Sequence, residues 1–343
     1  MAPLPLSILD LAVVGRDQTV HDSLAGCVRF AQHAEHCGYL RAWYAEHHNM
    51  ATIASSATAV LIAHVAAHTE RIRVGAGGVM LPNHAPLMIA EQFGTLATLH
   101  PGRIDLGLGR APGTDQGTMR ALRRDPMAAD SFPQDVLELQ GYLADDTLMP
   151  HVYATPGRGT HVPLYILGSS LFGAQLAAML GLPYAFASHF APTALTDAVA
   201  IYRERFQPSA QLDRPYVIAS VNVVAADTDA EAMEQRERRR RGLARSLFGR
   251  PGAPLADHEV EAVLAGPQGH AIDQMMTYSA VGQPTAVREY LDAFRQHADA
   301  DELMVVTLGD GIDVRLRSLE LLAEAMDLRP DDNKSASPAS TGA

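Results

Sequence analysis

The chain has 343 residues, 47% of them hydrophobic, which is enough to bury a sizeable core. Acidic side chains outnumber basic ones 39 to 27, and the resulting net charge of -12 argues against binding nucleic acid through a basic field. There is no uninterrupted apolar run of about 18 residues, the length of a membrane span, and the start, Met-Ala-Pro-Leu-Pro, lacks the basic-then-apolar order of a signal peptide. Cys27 and Cys37 fall on one predicted helix, about 15 Å apart at helical rise. They cannot bridge each other, so a cytoplasmic protein with reduced thiols is expected.

Short apolar runs alternate with longer amphipathic ones along the chain. Leu6–Val13 predicts a first strand, and His21–Cys37 a helix stopped by Gly38. Tyr39–Ala45 predicts a second strand, Ala57–Ala67 a helix, Ile72–Gly77 a third strand and Pro86–Leu99 a helix. Ile104–Leu108 follows as a fourth strand, then a long loop and a helix from about Pro133 to Ala144. The second half repeats the rhythm. Strands are predicted at Pro163–Leu167, Tyr184–Ser188, Tyr216–Ala225 and Leu303–Leu308, with helices at Phe172–Leu180, Thr193–Phe206, Asp229–Leu247 and Val314–Met326. Gly249–Pro284 interrupts it as an insertion before the last strand, with helices near Asp257–Ala265 and Thr285–His297. Residues 331–343 read as a disordered tail, leaving 1–330 as one domain. Eight strands alternating with helices favour a closed α/β (β/α)8 TIM barrel over an open sheet. Arg236–Arg241, basic apart from Glu237, reads as a solvated helix face.

Barrel enzymes place their sites at the C-terminal ends of the strands. Glu46, His47, His48 and Asn49 follow the second strand, and Gly77, Gly78, Val79 and Met80 the third. The fourth leads into Gly109-Arg110-Ala111-Pro112-Gly113, the fifth into Gly168-Ser169-Ser170, and the sixth into His189. Arg110, flanked by loop residues, can pair bidentately with a phosphate. Gly168, Ser169 and Ser170 open a helix, whose free N–H groups favour an anion; an ordinary Ser cap is the plainer alternative. Gly77-Gly78 allows close approach to a flat ligand. No metal is expected, because His47 and His48 are neighbours on a strand and face opposite ways. His47 is better placed for acid–base or hydrogen-bonding work, since imidazole titrates near neutral pH. Gly107-Leu108-Gly109 followed by Gly113 has the wrong spacing for a dinucleotide fingerprint.

Three stretches carry a family resemblance: Trp43-Tyr44-Ala45-Glu46-His47-His48-Asn49, Arg73 to Pro82, and Pro101 to Arg110. With them the chain resembles the bacterial luciferase-like flavin monooxygenases over nearly all of residues 4–328. The resemblance implies reduced FMN bound at the barrel mouth, O2 and a small organic substrate such as an aldehyde, and a separate flavin reductase as the source of FMNH2. It aligns His47 with the histidine that luciferases need for productive oxygen chemistry. It places Gly77-Gly78 at a non-prolyl cis peptide beside the flavin ring, Arg110 and Ser169-Ser170 at its phosphate, and His189 near flavin or substrate. Glu46, His48 and Met80 are expected to line the same pocket. The insertion is short beside luciferase's mobile loop, so an oxygenase that emits no light is expected. A homodimer is common in the family. Three rivals remain: an F420-dependent hydride-transfer enzyme of the same fold, a flavin-binding barrel without catalysis, and a metal-dependent hydrolase. The Glu46-His47-His48 motif favours FMN.

Overall fold

The computed structural model describes residues 4–330, apart from 16, 112–114, 126, 145 and 250–254. The predicted tail and Pro112-Gly113 lie outside the described residues. Eight parallel strands close into a barrel: β1 (Leu6–Asp10), β2 (Arg41–Tyr44), β3 (Arg73–Met80), β4 (Ile104–Gly109), β5 (Leu164–Gly168), β6 (Tyr184–Phe186), β7 (Val217–Ala225) and β9 (Glu302–Thr307). Each pairs with the next, and β9 closes the ring on β1 through Leu6–Leu303 and Ile8–Val305. The strands are short apolar runs because both faces are covered. Ile8, Ala42 and Val74 turn outward to the helices, while Leu9, Trp43, Tyr165 and Ile218 pack inside the barrel.

The helical layer follows the predicted spacing: α1 (Val20–Cys37), α2 (Thr58–Ala66), α3 (Pro86–Leu99), α5 (Phe132–Ala144), α6 (Leu171–Leu180), α7 (Leu195–Arg205), α8 (Asp229–Phe248), α11 (Pro284–His297) and α12 (Ile312–Ala325). Thr19 and Asp22 form a reciprocal capping box at the start of α1, and Gly38, at φ 90°, ends it in the left-handed conformation. The insertion holds α9 (Asp257–Ala265), as expected. It also holds α10 (Pro267–Met275) and a ninth strand, β8 (Ser279–Gly282), which pairs in parallel with Asn222–Ala225 of β7. These two, and the short α4 (Gln116–Ala121), were not anticipated. β1 ends at Asp10 and β6 at Phe186, earlier than predicted, whereas β3 runs three residues past Gly77.

The N-terminal end of the barrel is sealed by a charged plug. Arg41 opens β2 and is fully buried with Asp105 and Glu302. Its Nε and Nη2 donate to the two Glu302 oxygens at 2.9 and 3.1 Å, and its Nη1 to Asp105 Oδ2 at 2.7 Å. Arg73 grips the other Asp105 oxygen, Trp43 Nε1 donates to Oδ2 at 3.1 Å, and Tyr216 Oη donates to Glu302 at 2.8 Å. Burial alone would raise the Asp105 pKa, but Arg73 and Arg41 hold it below the usual carboxylate range.

Candidate active site

β2 delivers Glu46, His47 and His48 to the opposite end of the barrel, and they divide between two environments. The Glu46 carboxylate is buried. Its Oε1 lies 2.8 Å from His48 Nε2, 2.9 Å from His84 Nε2 and 3.3 Å from Asn83 Nδ2, while Oε2 accepts from the Met80 amide at 3.1 Å. Its own amide donates to Gly78 O. Glu46 thus staples the end of β3 to β2. Burial would push its pKa up, but the bonds from His84, His48 and the Met80 amide hold it down, so it stays ionised. Glu46, His48 and His84 offer donor atoms within 4.8 Å of one another. That two-histidine, one-carboxylate set could hold a divalent ion. His47 and His48 lie beyond β2, which ends at Tyr44, so strand alternation does not govern them, and His48 turns back onto Glu46. His84, four residues past the end of β3 at Met80, completes the group.

The Gly77–Gly78 peptide is cis, as the resemblance implied, and the register with β4 shifts there. A Cβ on Gly77 would lie 2.8 Å from Leu9 Cδ1, and one on Gly78 2.7 Å from Gly107 O. The backbone of β4 therefore leaves no room for a side chain at Gly78, and one at Gly77 would have to displace Leu9 and crowd Trp43. Met80, partly buried, lays its sulfur over Gly109.

Arg110 leaves β4 exposed, with its guanidinium carbon 4.2 Å from the Phe172 ring centroid. Phe172 is in the first turn of α6, so the arginine and the opening of that helix are neighbours. Ser170 caps α6 in an extended conformation without a side-chain cap bond, and Ser169 and Ser170 are both exposed. Among the described residues Arg110 makes no ion pair, which removes the plainer reading of it as a surface salt bridge.

His47 and His189 are partly buried, and the Nδ1 of each is sealed from solvent without a hydrogen-bond partner. Asn222 holds the His189 loop through the His189 carbonyl at 2.7 Å. Burial, then the nearby Arg239 and His47, pushes the His189 pKa down to about 3. Burial also lowers that of His47, against the pull of Glu46. Both shifts favour the neutral imidazole at pH 7, which can donate a hydrogen bond through one ring nitrogen and accept one through the other.

The family model described as luciferase-like monooxygenase matches residues 4–301. The chain belongs to this family. A luciferase-like monooxygenase of Escherichia coli K12 is 44% identical over 330 residues, covering 96% of this chain and 98% of its own. The crystal structure of apo-MsnO8 is 36% identical, covers 95% of this chain and 99% of its own, and superposes with a TM-score of 0.84. Two more distant structures of the same fold, each 16% identical, differ in cofactor. One is the oxygenating constituent of a Pseudomonas putida 3,6-diketocamphane monooxygenase in complex with FMN, with a TM-score of 0.66 and coverage of 94% and 97%. The other is an F420-dependent secondary alcohol dehydrogenase, with a TM-score of 0.68 and coverage of 94% and 98%.

Two groups at this site escaped the sequence. His84 follows Pro82, past the point where β3 was expected to end. Arg239 lies within a basic run expected to be solvated, although Ala232, Gln235 and Arg239, spaced three and four apart, trace one helix face.

Proposed function

We propose that this luciferase-like monooxygenase uses reduced FMN and O2 to oxygenate a small organic substrate. The observation that carries this is Arg110, without an ion pair among the described residues, beside the opening of α6 that has no side-chain cap, and just past the strand next to the one that carries the side-chain-free Gly77-Gly78 peptide. A phosphate group fits the first and a flat ring the second. Arg110, Ser169, Ser170 and Gly168 would hold the phosphate of FMN, and Gly77, Gly78 and Met80 would support its ring. When bound, the reduced flavin supplies the electrons and the oxygen chemistry.

The protein's own part is positioning, exclusion of water and proton control. His47, neutral and carrying an unpartnered Nδ1, exchanges a proton or hydrogen-bonds with the substrate. Glu46, His48 and His84 keep the end of β3 and the His47 backbone in place. Reduced FMN arrives from a separate reductase in the cytoplasm. Among the described residues no helix is long and apolar enough to cross a membrane.

Anaerobic titration with chemically reduced FMN, followed by air, tests the assignment through the flavin absorbance. Saturable binding, then slow, substrate-accelerated reoxidation, is the expected result. Binding of F420 in preference to FMN, or FMN binding with no flavin-dependent turnover across aldehydes and carboxylic acids, would replace it with hydride transfer or with a non-catalytic flavoprotein.

A further inference from the structure

The basic run of α8 does not form a uniform solvated face. Arg238 pairs with Glu234 at 2.6 Å, Arg240 grips Asp273 through two bonds of 2.7 and 2.9 Å, Arg241 pairs with Glu261, and Arg245 pairs with Asp257 at 2.5 Å. Arg239 turns the other way. Its Nε is sealed from solvent without a partner, and among the described residues its guanidinium makes no hydrogen bond and no ion pair. One turn earlier on that face, Gln235 Oε1 is buried and unpartnered too. Burial pushes the Arg239 pKa down. Asp310 pulls it back up without forming an ion pair, and Arg315 repels it. Arg315 is itself committed to Asp10 at 2.9 Å and Thr307 at 3.1 Å.

An arginine whose Nε is sealed without a partner, and whose countercharge Asp310 forms no ion pair with it, is an unfavourable arrangement that a ligand anion would complete. Its surroundings indicate which ligand. His189 and His47 lie close enough for their charges to couple with one another, and His189 with Arg239; each presents an unpartnered Nδ1. One permanent cation and two neutral imidazoles suit a single planar anion next to a site of proton exchange. The flavin phosphate has a different berth. Arg110 and Ser170 follow β4 and β5, whereas Arg239 follows β7 and His189 follows β6.

We propose that Arg239 anchors the carboxylate of an acidic substrate at the barrel mouth, with His189 alongside it and His47 toward the reacting end. The substrate class is therefore an organic monocarboxylate and not an uncharged aldehyde. The oxygenation of that substrate depends on the flavin assignment; its binding does not.

The test is calorimetric titration of the full chain, with and without FMN, using hexanoate and benzoate against hexanamide and benzamide as probes. The wild type should bind the acids at least about tenfold more tightly than the amides, the usual worth of a charge-assisted pair. Arg239→Gln should erase that preference while leaving FMN affinity and melting temperature unchanged, and Arg239→Lys should restore part of it. Equal binding of acid and amide by the wild type, no acid binding at millimolar concentration, or a preference that survives in Arg239→Gln overturns the proposal. So does a loss of FMN affinity in that variant, which would move Arg239 to the phosphate. If FMN fails to bind but the acid preference still depends on Arg239, the flavin assignment falls and this one stands.

Discussion

The two ends of the barrel solve opposite problems with the same residue types. At the N-terminal end all three guanidinium nitrogens of Arg41 are bonded, and both oxygens of Asp105 and of Glu302 accept. At the C-terminal end His47 Nδ1, His189 Nδ1 and Arg239 Nε are equally shielded and have no partner. Buried polar groups are nearly always satisfied in folded proteins, and exceptions call for an explanation. The closed end is complete without a ligand. The open end is not, and its unpartnered atoms belong to residues that follow β2, β6 and β7 at the end where barrel enzymes bind their substrates.

The sharpest way to break this contrast is to alter each end and ask which property changes. His47→Ala should lower turnover by about 10²–10⁴, the usual contribution of a positioned acid–base group, with FMN affinity largely retained. Turnover equal to wild type under saturating flavin and substrate would return His47 to the scaffold. Arg41→Met leaves two buried carboxylates without their shared cation and should cost about 3–5 kcal/mol of unfolding free energy. In the fraction that folds, FMN affinity should be unchanged. A urea midpoint at the wild-type value would mean that the plug contributes little to stability.

Arg110→Ala sharpens the comparison from within the mouth. Loss of a charge-assisted phosphate contact is worth about 1.5–3 kcal/mol, roughly 10–150-fold in FMN dissociation constant, with turnover at saturating FMN preserved. Undiminished affinity in that variant would remove Arg110 from the phosphate corner.

How much of this was legible in the sequence follows from what each region requires. Parallel strands covered on both faces must be apolar runs, and their helices must repeat near 3.6, so eight units could be counted directly. β8 could not be seen. Ser279–Gly282 is four residues long, bears a Gly and pairs with β7 alone, so it carries little apolar pattern. α10, with Pro267 and Gly269 in its first turn, is weak by propensity. The plug was illegible for another reason. Arg41, Asp105 and Glu302 look like ordinary charges at strand starts, and only closure of the ring brings partners 261 residues apart into contact. At the mouth, Gly77-Gly78, Arg110 and His47 stood out because polar and glycine residues directly after apolar runs are local signals. Arg239 did not, because one inward arginine among outward ones differs in helix phase and not in composition.

The smallest expected effect concerns His189, and it tests whether the mouth is as shielded as its unpaired atoms imply. An unfolded histidine takes up a proton near pH 6.5, while folded His189, with its pKa pushed down to about 3, does not. Above pH 6.5 the group is neutral in both states and contributes no pH dependence. As pH falls from about 6.5 toward 3, the unfolded chain binds a proton that the folded one refuses. Stability should then fall by up to about 1.4 kcal/mol per pH unit from this group alone. Other groups titrate in the same range, so the informative quantity is the difference between wild type and His189→Asn. Between pH 7 and pH 5 the wild type should lose about 1–2 kcal/mol relative to the variant, measured by urea unfolding. Parallel stability curves would mean that His189 takes up its proton freely in the folded state. An imidazole that charges so readily beside Arg239 would have to sit in solvent, and the contrast between a sealed plug and a shielded, unsatisfied mouth would fail at that residue.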